Sequence, residues 1–114
     1  GAPGRGPLLR VAAGGVVPLA RPPRLPALPL DLDADLPRVD VVACHQGADD
    51  ALLRAAVAAG SAGVVLEALG AGNVPPPIAA AAAELVAGGV PVLVCSRVPA
   101  GPVAPLYAGG GASL

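Results

Sequence analysis

The chain has 114 residues, of which 54% are hydrophobic and 13% charged, with a net charge of −1; this leaves room for one small core and a large exposed share of apolar surface. Every basic residue is an arginine, set singly from Arg5 to Arg97, so no basic stripe is present to neutralise a run of phosphates, and nucleic acid is not an expected partner. No apolar stretch reaches the roughly 18 uninterrupted residues of a membrane-spanning helix, so no membrane partner is expected either.

The apolar share is mostly Ala, Val and Leu, with one Tyr and no Phe, Trp or Met, which predicts a thin core. Gly 16 and Pro 15 are concentrated towards the two ends, leaving the middle free to fold. The sequence opens at Gly1 without Met or a charged-then-apolar leader, as expected of a piece cut from something longer.

Residues 1–37 read as a hairpin followed by a Pro-rich linker. Leu8 to Val11 and Val16 to Leu19 flank Ala12-Ala13-Gly14-Gly15, a hairpin signal, and Pro18 places its strand at an edge. Pro22, Pro23, Pro26 and Pro29 then remove backbone donors and fix φ, which predicts extended chain. The alternating acids Asp31, Asp33 and Asp35 lack the turn Gly and terminal Glu of a calcium loop.

Over 38–108 the pattern becomes α/β, and 109–114 is a Gly-rich tail. Val39 to Ala43 is a short β-rich run. Asp49 is the expected N-cap of a helix carrying Leu53 and Val57 one turn apart, which Gly60 stops. Gly63 to Leu66 is a second strand, and Pro75 to Pro77 suit the first turn of a second helix with Ile78 and Leu85 on one face. Gly88-Gly89 ends that helix, and Val90 to Val94 is the third strand. This order is βαβαβ with flavodoxin-like topology: a small parallel sheet whose continuous apolar runs predict burial of Val41, Val42, Val64, Val65, Leu66, Val92, Leu93 and Val94.

Ligands of open parallel sheets bind beyond the carboxyl ends of the strands. Three loops meet there: Cys44-His45-Gln46-Gly47, Glu67 to Asn73, and Cys95-Ser96-Arg97, which hold the only His, Gln and Asn of the chain. Cys44 and His45 are strand neighbours facing opposite ways, a poor nucleophile and base. Both cysteines read as small buried hydrophobes that stay reduced, and they lack the spacing of a metal site. Gly70-Ala71-Gly72 lacks the third Gly of a dinucleotide fingerprint, and the prolines after it remove phosphate-cradling amides, so no cofactor is implied. Arg97 can hold an anion or pair with Asp49, Asp50 or Glu67; the structural pair is favoured.

Three stretches together carry a resemblance. Pro37 to Val42 running into Gln46 to Asp49, then Gly63 to Pro75 with its Gly70-Ala71-Gly72-Asn73, then Gly89 to Gly101 with its Ser96-Arg97-Val98-Pro99, are similar in order and spacing to the C-terminal domain of bacterial L-asparaginases, across about residues 5–108. Cys95 departs from the usual Ser of that family, and Glu67 from a small residue. In some members an Asn after the first strand enters a neighbour's active site; Gly47 matches it, and a second carboxylate falls near Ala108. The resemblance implies asparagine as substrate, an N-terminal domain bearing two Thr and an Asp-Lys pair, and a homo-oligomer. It places the loop of His45, Gln46 and Gly47, with Asp49, near a neighbouring subunit's site, and makes Gly70, Gly72, Asn73, Ser96 and Arg97 a structural motif. This sequence holds no Thr and no Lys, so no residue of it is expected to be catalytic. The alternatives are a stand-alone flavodoxin-like module for a small polar ligand and a structural fragment.

Overall fold

A tight two-residue connection at Ala13-Gly14, with φ of 130° at Gly15, turns β1 (Leu9–Ala12) back on β2 (Gly15–Pro18) in an antiparallel pair. The computed structural model describes residues 6–21, 23–31 and 33–107, in two units, Gly1–Asp35 and Leu36–Leu114. In the first unit, Leu19 and Ala20 both donate to the carbonyl of Leu8, closing the open end of the hairpin. Every residue of β1 and β2 is exposed, so ladder bonds rather than burial hold this element. Asp33 donates its amide to the Asp31 carboxylate at 3.0 Å, a local turn, and no acidic cluster suited to a metal occurs among the described residues. Ala108 and the expected Gly-rich tail over 109–114 lie outside the described residues.

In the second unit, β3 (Val39–Ala43), α1 (Ala51–Ala58), β4 (Gly63–Ala68), α2 (Pro76–Ala87) and β5 (Val92–Ser96) follow one another, and the sheet order is β3-β4-β5, all parallel. The α/β class and the βαβαβ order are as the sequence predicts. Strand β5 begins two residues later than Val90, because Pro91 has no amide and contributes only its carbonyl, which accepts from Val64 at 3.0 Å. Gly60, at φ 95°, and Gly89, at φ 86°, close the two helices in the left-handed region open to glycine.

The expected burial of both sheet faces is overturned, for a topological reason. Two right-handed crossovers that step in the same direction across a sheet put both helices on the same side. Val42, Val64, Leu66 and Ala68 face those helices and are buried with Leu53, Ile78, Ala81 and Ala82, while Val92 and Val94 pack at the rim. The alternate residues line up in register as Val41, Val65 and Leu93 on the other face, where Val41 is 66% and Leu93 64% exposed. The core is therefore one layer deep between sheet and helices. Ala81 and Ala82, both fully buried, let α2 lie close to the sheet.

At the N-terminal end of the sheet Arg38 donates to both Asp40 oxygens, at 2.8 and 3.2 Å, and to the carbonyl of Ala59 at 3.1 Å. The buried Ser61 hydroxyl also donates to Asp40. The Arg38 guanidinium, and after it Ser61, hold the Asp40 carboxyl below its ordinary range. A carboxyl depressed in the folded state adds stability above its unfolded value and loses it as pH falls through the folded value. Thermal melts should therefore weaken as pH drops below about 4, and Asp40→Asn should flatten that fall; an unchanged acid slope in the variant would dismiss the contribution.

Candidate functional site

All three loops anticipated at the carboxyl edge do meet there, and backbone hydrogen bonds lace them together. The loop after β3 is a four-residue turn, closed by Ala48 donating to the His45 carbonyl at 3.1 Å, with Gly47 at φ 79°. A positive φ at that third position defines a type II turn, which Gly satisfies without strain. His45 and Gln46 are exposed on it, and the His45 Nδ1 lies 3.1 Å from the Gln46 carbonyl. Asp49 accepts the Ala51 amide at 3.1 Å, while the residue at the N-cap itself is Asp50, whose side chain makes no cap bond. The N-cap position thus falls one residue later than the expected Asp49, and Asp50 there makes no cap bond because its carboxylate pairs with Arg54, 2.6 Å away across one helical turn.

The loop after β4 folds on itself. Leu69 and Asn73 exchange amide bonds at 2.8 Å in both directions, and Gly72 donates to Leu69 at 3.0 Å. Gly70 at φ 52° and Gly72 at φ 111° allow so tight a path. A side chain at Gly70 would also meet the Tyr107 hydroxyl, 3.0 Å from where its Cβ would stand. The Leu69, Gly72 and Asn73 amides are thus spent within the loop, and the prolines Pro75 to Pro77 open the helix.

The end of β5 ties the other two loops. The Ser96 hydroxyl donates to the Gly70 carbonyl at 2.5 Å and accepts the Val98 amide at 3.0 Å. Arg97 donates its amide to Ala68 at 2.9 Å and its Nη1 to the Cys44 carbonyl at 3.3 Å, reaching across β4 to the residue before His45. The favoured pairing of Arg97 with a carboxylate is replaced by this carbonyl contact; among the described residues, the ion pairs are Arg38 with Asp40, and Arg54 with Asp50 and Glu84. Ala104 donates to Ala71 at 2.9 Å, so the segment after β5 straps the β4–α2 loop. That strap, and the contact of Tyr107 with Gly70, carries no periodic or motif signal in the sequence.

Cys44 is buried on the helix face and Cys95 lies in register with Glu67 on the open face. Both are free thiols. Burial, then Cys95 and Glu67, push the Cys44 thiol up, so it is a poor thiolate. Their strands flank β4, which separates them by about two interstrand spacings, roughly 9.6 Å, against a usual upper limit of about 7 Å between the Cα atoms of a disulfide. Intact mass under non-reducing conditions should match two thiols; a loss of two hydrogens would contradict this geometry.

Between the β3–α1 and β4–α2 loops lies an open groove of about 470 Å³. Gln46, Gly47 and Asp49 stand on one side, Leu69, Asn73 and Val74 on the other, and Pro75 to Pro77 form an end. Of the anticipated positions, Gln46, Gly47, Asp49 and Asn73 are thus brought together. His45 opens instead onto an adjoining depression shared with Leu52 and Ile78, while Ser96 and Arg97 act beneath the loops. Ser61 sits at the opposite end of the sheet on Asp40, and the Ser96 hydroxyl is spent on Gly70. The arrangement can bind and position, and it lacks an activated hydroxyl beside a base among the described residues.

Residues 38–114 match the family described as the glutaminase/asparaginase C-terminal domain. Over 82 residues, 72% of this chain, the sequence is 37% identical to an L-asparaginase of Bacillus licheniformis. The aligned part is 26% of that relative, so the chain spans about a quarter of it.

Proposed function

The chain belongs to the glutaminase/asparaginase C-terminal domain family, and from that premise we propose that it serves as the C-terminal domain of an asparagine amidohydrolase. Its work in this reading is assembly: the turn of His45, Gln46 and Gly47 is presented to the active site of a neighbouring subunit, and the hydrolytic groups come from a separate N-terminal domain. The observation that carries the reading is the way Ser96 and Arg97 fasten the other two loops. Arg97 holds the carbonyl immediately before His45, and Ser96 holds Gly70. A presenting loop needs such support, since a displacement of about 1 Å at a reacting centre can cost roughly 100-fold in rate.

Asparagine is the substrate class of this proposal because the aligned relative is named an L-asparaginase. The test joins the chain behind the N-terminal domain of a bacterial L-asparaginase and measures ammonia release from asparagine. A second reading, a small-ligand module, is supported by the groove beside the same turn.

A further inference from the structure

The two edges of the sheet, β3 and β5, are finished differently. In a strand the main-chain groups of alternate residues point to one neighbour and those between them to the other. Cys44 donates its amide to Glu67 at 2.9 Å and the Arg38 carbonyl accepts from Ala62 at 2.8 Å, so the even-numbered residues of β3 are turned to β4. The amides and carbonyls of Val39, Val41 and Ala43 therefore point away from the sheet, and no backbone bond outside the sheet takes those amides among the described residues. Natural edge strands are guarded by proline, lysine, a bulge or an unpaired charge. β5 is entered through Pro91, and the residues whose main-chain groups point outward from it, Val92, Val94 and Ser96, are half-buried. β3 has no such guard. Its one charge, Asp40, is neutralised by Arg38 at 2.8 Å, and Val39, Val41 and Ala43 are exposed. Beside this edge runs a groove of about 380 Å³ between β3 and α1, walled on the helix by Leu52, which is 68% exposed, Ala55 and Ala56.

We infer that β3 is a self-association edge: a second copy of this chain adds its own β3 antiparallel about a two-fold axis, joining the two sheets into one. The register is set by which groups are free. With Val41 opposite the partner's Val41, and Val39 opposite the partner's Ala43, every outward-pointing residue of β3 exchanges both main-chain bonds. A slip of two residues one way would set Asp40 directly opposite the partner's Asp40, a like-charge pair; a slip the other way would leave Val39 beyond the end of the partner strand. In the favoured register Asp40 lies opposite Val42, and Val41 meets its own copy on the open face. The helices fit the same arrangement. α1 packs on β3 and β4 alike, so the two α1 helices would run about two interstrand spacings apart, roughly 9.6 Å, within the 8 to 10 Å of packed helices, and Leu52 would find the partner's alanines. About ten residues a side take part, against roughly 20 to 30 in a standard interface, which makes the dimer a weak one, with a Kd of about 10 to 100 µM. The inference does not rest on the amidohydrolase reading: the fusion assay reads catalysis and the experiment below reads association, so each can fail without the other.

The test is sedimentation velocity and amide hydrogen exchange of the 114-residue chain under reducing conditions, from about 10 µM to about 1 mM. Sedimentation should show a monomer passing to a dimer and no further, since an isologous contact closes on itself. The amides of Val39, Val41 and Ala43, open in the monomer, should exchange at least about threefold more slowly at the upper concentration, while those of Asp40 and Val42, already bonded to β4, should change little. Val41→Pro removes the amide at the two-fold axis from a position where an edge strand tolerates proline, and Leu52→Lys takes the apolar contact from α1; each should raise the Kd at least about tenfold. Leu93→Lys, on the same open face but at the far edge of the sheet, should leave it within about twofold, which separates edge pairing from contact through the open face. A monomer at 1 mM, assembly past the dimer, unslowed exchange at Val39, Val41 and Ala43, or association abolished by Leu93→Lys would each overturn the inference. Should Val41→Pro fail to fold, Leu52→Lys, which alters an exposed side chain, and the exchange of the unmodified chain decide the matter.

Discussion

The isolated chain should release no ammonia from asparagine above background, whereas the fusion behind an L-asparaginase N-terminal domain should turn over at least about a thousandfold faster. Acyl transfer needs a nucleophile activated by a base within hydrogen-bond reach. Among the hydroxyls placed here, Ser61 donates to Asp40 in a buried corner far from the loop edge, and Ser96 donates to the Gly70 carbonyl. The buried Cys44 thiol is pushed up, away from the thiolate form. His45 stands exposed on a turn with its Nδ1 beside the Gln46 carbonyl. Even a chance approach of these groups would still require an oxyanion hole, where one missing donor typically costs about 100 to 1,000-fold. Within the fusion, Arg97→Ala frees the carbonyl before His45 and should lower kcat with little change in KM if the turn acts in the transition state. Activity of the isolated chain that vanished in His45→Ala would refute the division of labour proposed here. A fully inactive but folded and assembled fusion would refute the family-based role.

What the sequence makes legible follows from which forces are local. Strand, helix and strand follow one another along the chain with glycines at each helix end, and a positive φ is a property of single residues, so Gly60 and Gly89 mark their stops plainly. The three-loop edge is equally legible, because it follows from topology alone once the strands are parallel. Burial is not a local property. Val41, Val42, Val65 and Leu66 look alike in a continuous apolar run, and only the side chosen by the two helices separates the buried pair from the others. The Arg97 contact is illegible for a related reason: its partner is a main-chain carbonyl 53 residues away, and carbonyls leave no trace in composition. Tyr107 against Gly70 is a meeting of two loops that no periodicity connects.

That choice of side has a measurable consequence for stability. Leu66 is fully buried at the centre of the sheet, in register between Val42 and Val94. Removing its side chain deletes contacts to strands and helices at once, and a leucine-to-alanine change in a core costs about 2 to 5 kcal/mol. A domain this small has a total of the order of 5 to 15 kcal/mol, with its size pointing to the lower end, so Leu66→Ala should lose much of its folded population at room temperature in mild urea. Leu93, one strand over and one residue off the register of Leu66, is 64% exposed. Leu93→Ala should change the unfolding free energy from urea melts by no more than about 0.5 kcal/mol, the usual span of surface changes. The pair is diagnostic because both residues are leucines in adjacent parallel strands with the same intrinsic β preference, so propensity cancels and only the covered face differs. If Leu93→Ala destabilised the chain as much as Leu66→Ala, the open face would have to be covered in solution, and the one-layer core would be wrong.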